Sequence, residues 1–597
     1  MDASRDVLPK DLFETPEDPT QHAWYSSFYL ENHIDYISYP DIVATPEKVN
    51  FMVVVPGRER YYPCSDHMFS AIMARKRPAF LQRRYDEVLD KLVALIDLRI
   101  EDPWEKEYLE SLIRTKFSHE TADGAMIPSR LEKRLIKIFL DRTMIEDPYR
   151  EEKAAMNRRA DTALSSQEFL NALNQPDQTM VDCRGRTLED VRNTANRIQL
   201  TRLLALLSER AIWEEDLSGR TTEYYSAIMA KPLSGAGAAQ LIRLLTPERS
   251  ALGAYVAQPL RIFWLVDEAG QAVIDLFIVR FLAGLGHKVI LAFKDKPLFT
   301  KVCFPDAMED PTLKRLLSEA HFIKEKEIAK NHLVDLLKRD MHIMALSDGT
   351  MEELNLLLVN ATFARMFKEA DIVVARGRAS RRRFFDTHFN FTQDILSIAR
   401  EDSGEVTVEF KPRDPSVIKF SVRELEQKAR NIIAQMENAK KQGMTVVFYS
   451  GIVGSIPGKI EMAKKIMSIF VTHLRDQSAS TFVINPSEHF EQGLDADDLM
   501  YMWEIVQRSG LIDIWRFQSY DDIVTAFGLM GKKVPPEWVG KDATYSTGCT
   551  KEMKIALSVQ DTNPEMQIIG PPREKFIRRA EYGIGSLFDR RLGSECA

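Results

Sequence analysis

The sequence predicts an α/β protein in three successive parts: an N-terminal helical region, a mostly parallel three-layer α/β sheet, and a second C-terminal α/β domain or sheet extension. Three observations predict it. Helical periodicity dominates from about residue 65 to 245; short β-prone runs alternate with helical runs from about residue 258; a second alternation opens near residue 443. A chain of 597 residues exceeds a single core and implies about two to four domains.

The parts follow from local pattern. Residues 1–60 are rich in Pro, Asp and aromatic residues, with one apolar run at Phe51–Val55, and read as an irregular arm. Residues 61–250 read as a helical domain, because stretches such as AFLQRRYDEVLDKLVALIDLRI keep apolar positions on one face and charges between them. In 251–404, RIFWLVD reads as a strand, AVIDLFIVRFLAGLG as a helix closed by Gly284 and Gly286, and KVILAF as a second strand. That order makes a parallel βαβ unit. HIMALS (342–347) and DIVVAR (371–376) add strands. Residues 405–442 form a connecting strand and helix, and 443–597 a C-terminal α/β domain with strands at TVVFYS, TFVINP, IDIWRF and MQIIGPP.

Composition narrows the function. Lys and Arg number 80 against 88 Asp and Glu, a formal charge of −8, so no general basic field marks a nucleic-acid binder. No uncharged apolar run reaches the ~18–20 residues of a membrane span. The N-terminus is acidic and polar, unlike a signal peptide. Five scattered cysteines (Cys64, Cys183, Cys303, Cys549, Cys596) contain no CxxC pair, which points away from a disulfide framework or structural zinc and toward the cytoplasm.

Candidate chemistry gathers where strands end, since ligands of open parallel sheets collect outside the carboxyl ends. Asp267 and Glu268 follow the first strand and precede Ala269-Gly270. Two adjacent acids hold a hard cation through oxygen, or cap the following helix; Gly270 admits a ligand close to the backbone. The next strand ends at Lys294-Asp295-Lys296-Pro297, suited to a phosphate or to a solvated turn. The third gives Arg376-Gly377-Arg378 and Arg381–Arg383, five arginines in eight residues. Acid, base and base therefore meet at one rim.

Three segments carry a family resemblance: WLVDEAGQAVIDLFIVRFLAGLGHKVILAFKDKPLFTKVCFPDA, then DIVVARGRAS, with DPYREEKAAMN (147–157) upstream. In this order they resemble the damage-control phosphatases, the ARMT-like metal-binding domain once listed as a domain of unknown function, over roughly residues 65–400. The resemblance implies metal-dependent hydrolysis of small phosphorylated metabolites, with Mn²⁺, Co²⁺, Ni²⁺ or Mg²⁺ in a strand-end cleft. It implies metal ligands at Asp267, Glu268 and, by substitution, Asp306. Asp275 matches the family's helix acid. Lys294 and Arg376 would act in catalysis beside Asp267, and Gly270, Lys294, Lys296, Lys301, Arg376 and Arg378 would hold phosphate. The match departs at Thr300-Lys301, where Asn-Asp completes the family's metal site: a lysine there repels a cation. The alternative is a non-catalytic phospho-ligand-binding or partner-binding protein on the same fold, with Lys301 as a fixed cation and no metal.

The C-terminal third offers weaker signals. GIVGSIPGK (451–459) is a Gly-rich turn, open to an anion or merely tight. It is no Walker A loop, because Val453 and Ile460 stand at required Gly and Ser/Thr positions. Cys549 reads as a buried thiol, and Glu488-His489 as a surface loop.

Overall fold

The computed structural model describes residues 13–75, 78–177, 187–249, 255–256 and 259–581; Cys183, Cys596 and the polar N-terminal dozen lie outside them. The chain divides into two compact units, Met1–Ile328 with Leu337–Asp414, and Ala329–Leu336 with Pro415–Ala597.

The first unit opens with helices. The N-terminal arm, expected to be irregular, carries α1 (Pro19–Glu31) and a short helix at Pro46–Asn50. Asp18 accepts from the Thr20 and Gln21 N–H groups, Pro19 sits at the first position, and Tyr25, Phe28 and Tyr29 share a buried face. In α2 (Ala79–Arg99) the buried positions Leu81, Tyr85, Val88, Leu92, Leu95 and Ile96 repeat every three or four residues, the stripe of a helix packed on one side. α3 (Pro128–Thr143) and α4 (Arg150–Leu164) follow.

Its sheet has eight strands: β1 (Leu233–Ser234), β2 (Arg261–Leu265), β3 (Lys288–Phe293), β4 (His321–Ile323), β5 (Ile343–Ser347), β6 (Ile372–Arg376), β7 (Asp394–Arg400) and β8 (Val406–Lys411). They lie in the order β1-β8-β7-β6-β2-β3-β5-β4. Every pairing is parallel except β7 with β8. The strand expected at 405–411 thus belongs to this sheet.

Helices cover both faces. α5 (Gln271–Gly284) shares a core with Ile262, Trp264, Val289 and Leu291. On the other face Phe263 meets Phe363 of α7 edge-on at 4.8 Å, α6 (Phe304–Glu309) and α7 (Ala361–Glu369) preceding α8 (Gly377–Phe385) in the chain. Each such fully buried side chain contributes roughly 1.5–3 kcal/mol. From β2 the chain moves to β3 on one side, while β6 lies on the other, so the sheet's switch point falls between β2 and β6.

The second unit begins with α9 (Val422–Lys441), whose Ser421 and Glu424 form a capping box. Its own four-stranded parallel sheet consists of β9 (Thr445–Ser450), β10 (Thr481–Ile484), β11 (Ile514–Phe517) and β12 (Gln567–Ile569), in the order β10-β9-β11-β12. It is a separate sheet, not an extension of the first. α10 (Ile460–Gln477), α11 (Ala496–Gln507) and α12 (Thr547–Thr562) accompany it. Among the described residues no helix is long and apolar enough to cross a membrane.

Candidate strand-end site

The acids after β2 do not stand open. Residues 298–303 return across the end of the strand: the Ala269 N–H donates to the Thr300 carbonyl at 2.9 Å and the Val302 N–H to the Asp267 carbonyl at 2.9 Å. This antiparallel bridge sets Lys301 opposite Glu268. The Lys301 ammonium donates to Asp267 Oδ1, and to Glu268 Oε1 at 3.0 Å. The Thr300 hydroxyl takes the other Glu268 oxygen at 2.6 Å. Lys301 is 14% exposed and Asp267 12%, so the pair is shielded from water.

The charges respond accordingly. Burial alone would lower Lys301, but Asp267 and Glu268 outweigh it and hold the ammonium above its ordinary pKa. Burial likewise raises Glu268, and Lys301 with the Thr300 hydrogen bond reverses this to a net lowering. Asp267 is raised by burial, which Lys301 only partly offsets.

The switch point supplies the other wall. Gly377, at φ +77°, follows β6, and a Cβ there would collide with the Asp267 carboxylate. Glycine is required for both reasons. Gly270, at φ +73°, lies against Trp213, and its N–H donates to Asn157 Oδ1 at 2.8 Å. That N–H is already engaged by the protein.

The remaining expected residues divide. Lys294 lines the same small space as Asp267 and Lys301, and donates to Asp348 Oδ2 at 2.6 Å and Thr350 at 3.3 Å. Burial lifts Asp348 despite Lys294. Arg376 points elsewhere. It shares its strand face with Ile372 and Val374, which pack in the α5 core, and it meets Asp275 at 2.7 Å with 2% and 1% exposure. Arg378 pairs with Asp402 at the surface, 50% and 87% exposed. Lys296 is exposed. Neither Arg376, Arg378 nor Lys296 lines the space beside Asp267. Asp306 sits in the first turn of α6, where it accepts from the Cys303 N–H at 2.8 Å and from Lys153. Its carboxylate is committed to a capping box and an ion pair.

The sequence reading passed over Asp348 and Glu353. Asp348 ends a strand before a glycine, the signal that singled out Asp267. Glu353 belongs to the loop after β5 and lines the strand-end space; only the fold connects it to Lys301.

The sequence profile of the damage-control phosphatase ARMT1-like domain matches residues 80–411, more than half the chain. The chain belongs to the ARMT1-like damage-control phosphatase family. A DUF89 family protein from Pyrococcus horikoshii, known from its crystal structure, is 13% identical; the match covers 56% of this chain and 98% of that one, with a TM-score of 0.37. No curated protein matches.

The family's three sequence elements meet in space. Asn157 of α4 holds Gly270, Lys153 of α4 holds Asp306, and Gly377 abuts Asp267. The divalent cation that the ARMT1-like family implies does not fit the donor set. An ammonium already bridges Asp267 and Glu268, and the other two acids of the space, Asp348 and Glu353, are held by Lys294 and Arg383. Among the described residues no group of three or more His, Cys, Asp or Glu side chains is placed to hold a metal ion. A dication must displace a charge that both acids stabilise, and then sits beside it.

Proposed function

We propose that this ARMT1-like protein binds a small phosphorylated metabolite in the cleft between its strand ends and its helical layer, with Lys301 as the resident cation and without metal-dependent hydrolysis. One observation carries the reading: the Lys301 ammonium bonds both acids that would otherwise hold the metal. An ammonium supplies positive charge to an oxyanion. It offers neither the open coordination position nor the activated water that a metal supplies for phosphoryl hydrolysis.

The space beside Lys301 is only about 20 Å³, room for about one water. The adjoining cavity of about 280 Å³ is lined by Arg84, Lys91, Arg382 and Arg383, and it is there that a ligand of metabolite size fits. The cytoplasm suits the buried free thiols Cys64, Cys303 and Cys549. Family membership favours a second reading, a metal-dependent phosphatase whose metal displaces Lys301.

A panel of phosphorylated metabolites, with and without Mn²⁺, Co²⁺, Ni²⁺ or Mg²⁺, separates the two. The wild type is expected to be thermally stabilised by a panel member with no added metal, and to release no phosphate. Lys301→Asp removes the ammonium and adds a third carboxylate, so it should gain metal-dependent stabilisation, about 2.7 kcal/mol at metal a hundredfold above Kd. Metal-dependent phosphate release by the wild type, abolished in a folded Asp267→Ala variant, would establish the second reading instead.

A further inference from the structure

Among the described residues Glu353 is the one acid that lines both spaces, the small one beside Lys301 and the larger cavity on the helical side. Its carboxylate accepts from Arg383 Nη2 at 3.3 Å and lies 3.5 Å from Arg382 Nη2. Arg383 is fixed in turn, donating to the Pro63 carbonyl and to Ser129 Oγ at 2.8 Å. Burial would raise Glu353, but Arg383, Arg382, Lys301 and Lys91 pull it down to about 2. The side chain keeps 20% exposure, so a solute in the larger cavity can reach it. The other two acids lining that cavity are differently engaged: Glu87 with Arg84 at 2.5 Å, Glu132 with Lys91 at 2.7 Å.

A carboxylate facing several cations at the junction of two spaces occupies the position that a phosphoryl group would seek, because both are oxyanions that take forked guanidinium hydrogen bonds. We propose that Glu353 is a built-in competitor for the anionic ligand: its carboxylate fills the anion position between Arg382, Arg383 and Lys301, and a phosphorylated ligand binds by displacing it. This rests on the reading of the cleft as an anion site. It adds that the site is self-complementary at rest, with Lys301 in place of a metal and Glu353 in place of a phosphate. Ligand affinity is then set by the competition, and a weak anion fails to open the site.

The test is titration of the full-length chain with inorganic phosphate, at constant ionic strength, followed by calorimetry and thermal shift. Glu353→Gln is expected to bind phosphate at least about tenfold more tightly than the wild type, and Glu17→Gln, at an exposed pair with Arg58 outside both spaces, to stay within about twofold. Glu353→Ser, which removes the same charge with less bulk, should behave as Glu353→Gln does. Equal or weaker phosphate binding by both Glu353 variants overturns the proposal, as does equal tightening by Glu17→Gln, which would mark a mere change of net charge. Variants that stay unfolded even in saturating phosphate also count against it, since phosphate should restore the lost anion. If the wild type binds a phosphorylated metabolite but the Glu353 variants gain nothing, competition alone fails. If neither wild type nor variants bind phosphate or any metabolite, the cleft reading fails with it.

Discussion

Both units present the carboxyl ends of parallel strands, and the central strands of the two are satisfied by different chemistry. In the first unit the edge is built from full charges in pairs: Lys301 with Asp267 and Glu268, Lys294 with Asp348, Arg376 with Asp275. In the second the end of β9 is built from uncharged polar groups, while Arg516 of β11 pairs with Asp522 at 2.7 Å. Ser450, at the end of β9, accepts from the Trp515 indole N–H at 2.9 Å, and the Ile452 N–H donates to Gln518 at 3.0 Å. The Cys549 thiol donates to the Gly451 carbonyl at 3.3 Å, and Gln507 donates to Glu552 at 3.0 Å. Burial raises Glu552 to about 7, keeping it largely neutral through the mildly acidic range. The two sheets thus differ in what their edges can answer to. The charged edge is sensitive to the loss of one partner and to competing ions. The neutral edge is sensitive to pH.

The candidates in the second unit resolve in the same direction. Lys459, closing GIVGSIPGK, pairs with Glu537 at 2.9 Å. Cys549 is buried at 2% exposure in the first turn of α12, and burial raises its thiol further, the condition of an unreactive cysteine. Glu488 pairs with Arg475 at 2.8 Å, and His489 meets Trp503 edge-on at 5.3 Å.

The largest expected effect lies at the charged edge. Arg376→Met leaves Asp275 buried without its cation, and unfolding in denaturant should show a loss of about 3–5 kcal/mol. The double variant Arg376→Met with Asp275→Leu should recover most of it, because the pair costs desolvation that an apolar pair does not. A single variant as stable as the wild type would break the contrast between the edges.

At the neutral edge the expected effect is a pH dependence. The Glu552 carboxyl moves from an ordinary 4.5 to about 7 in the folded protein. Between those values the folded state binds the extra proton, so stability falls as pH rises from about 4.5 to 7 and levels off above it, by about 3 kcal/mol in all. Glu552→Gln should flatten that part of the profile, as followed by Tm against pH. An unchanged slope would remove Glu552 as its source.

The smallest effect sharpens the comparison by showing that charge alone is not the cause. Arg378 and Asp402 are paired but exposed, and Arg378→Ala should change stability by no more than about 0.5 kcal/mol. A larger loss would mean that burial does not separate the two classes of ion pair.

Much of this was legible in the chain. The strand–helix–strand order from Arg261 to Phe293 and the acids after the first strand followed from pattern, because apolar period and strand-end position are local properties; the altered Thr300-Lys301 followed from the family resemblance. Arg376 shows where legibility stops. Its register with Ile372 and Val374 put it on the α5 face, yet only packing revealed that Asp275 waits there. Asp348 and Glu353 needed the sheet order, since their partners lie 54 and about 30 residues or more away in sequence.

The sequence by itself determined the α/β class and the strand–helix–strand order from Arg261 to Phe293, and that acids and bases collect where strands end. It also determined that a lysine stands where a carboxylate completes the family's site. Tertiary structure decided which of those charges meet. An ion pair is a relation between side chains of distant segments, fixed by strand order and loop return, and no local periodicity encodes it. The return of residues 298–303 across β2 makes Lys301 the partner of two acids, and so decides what the strand ends can hold.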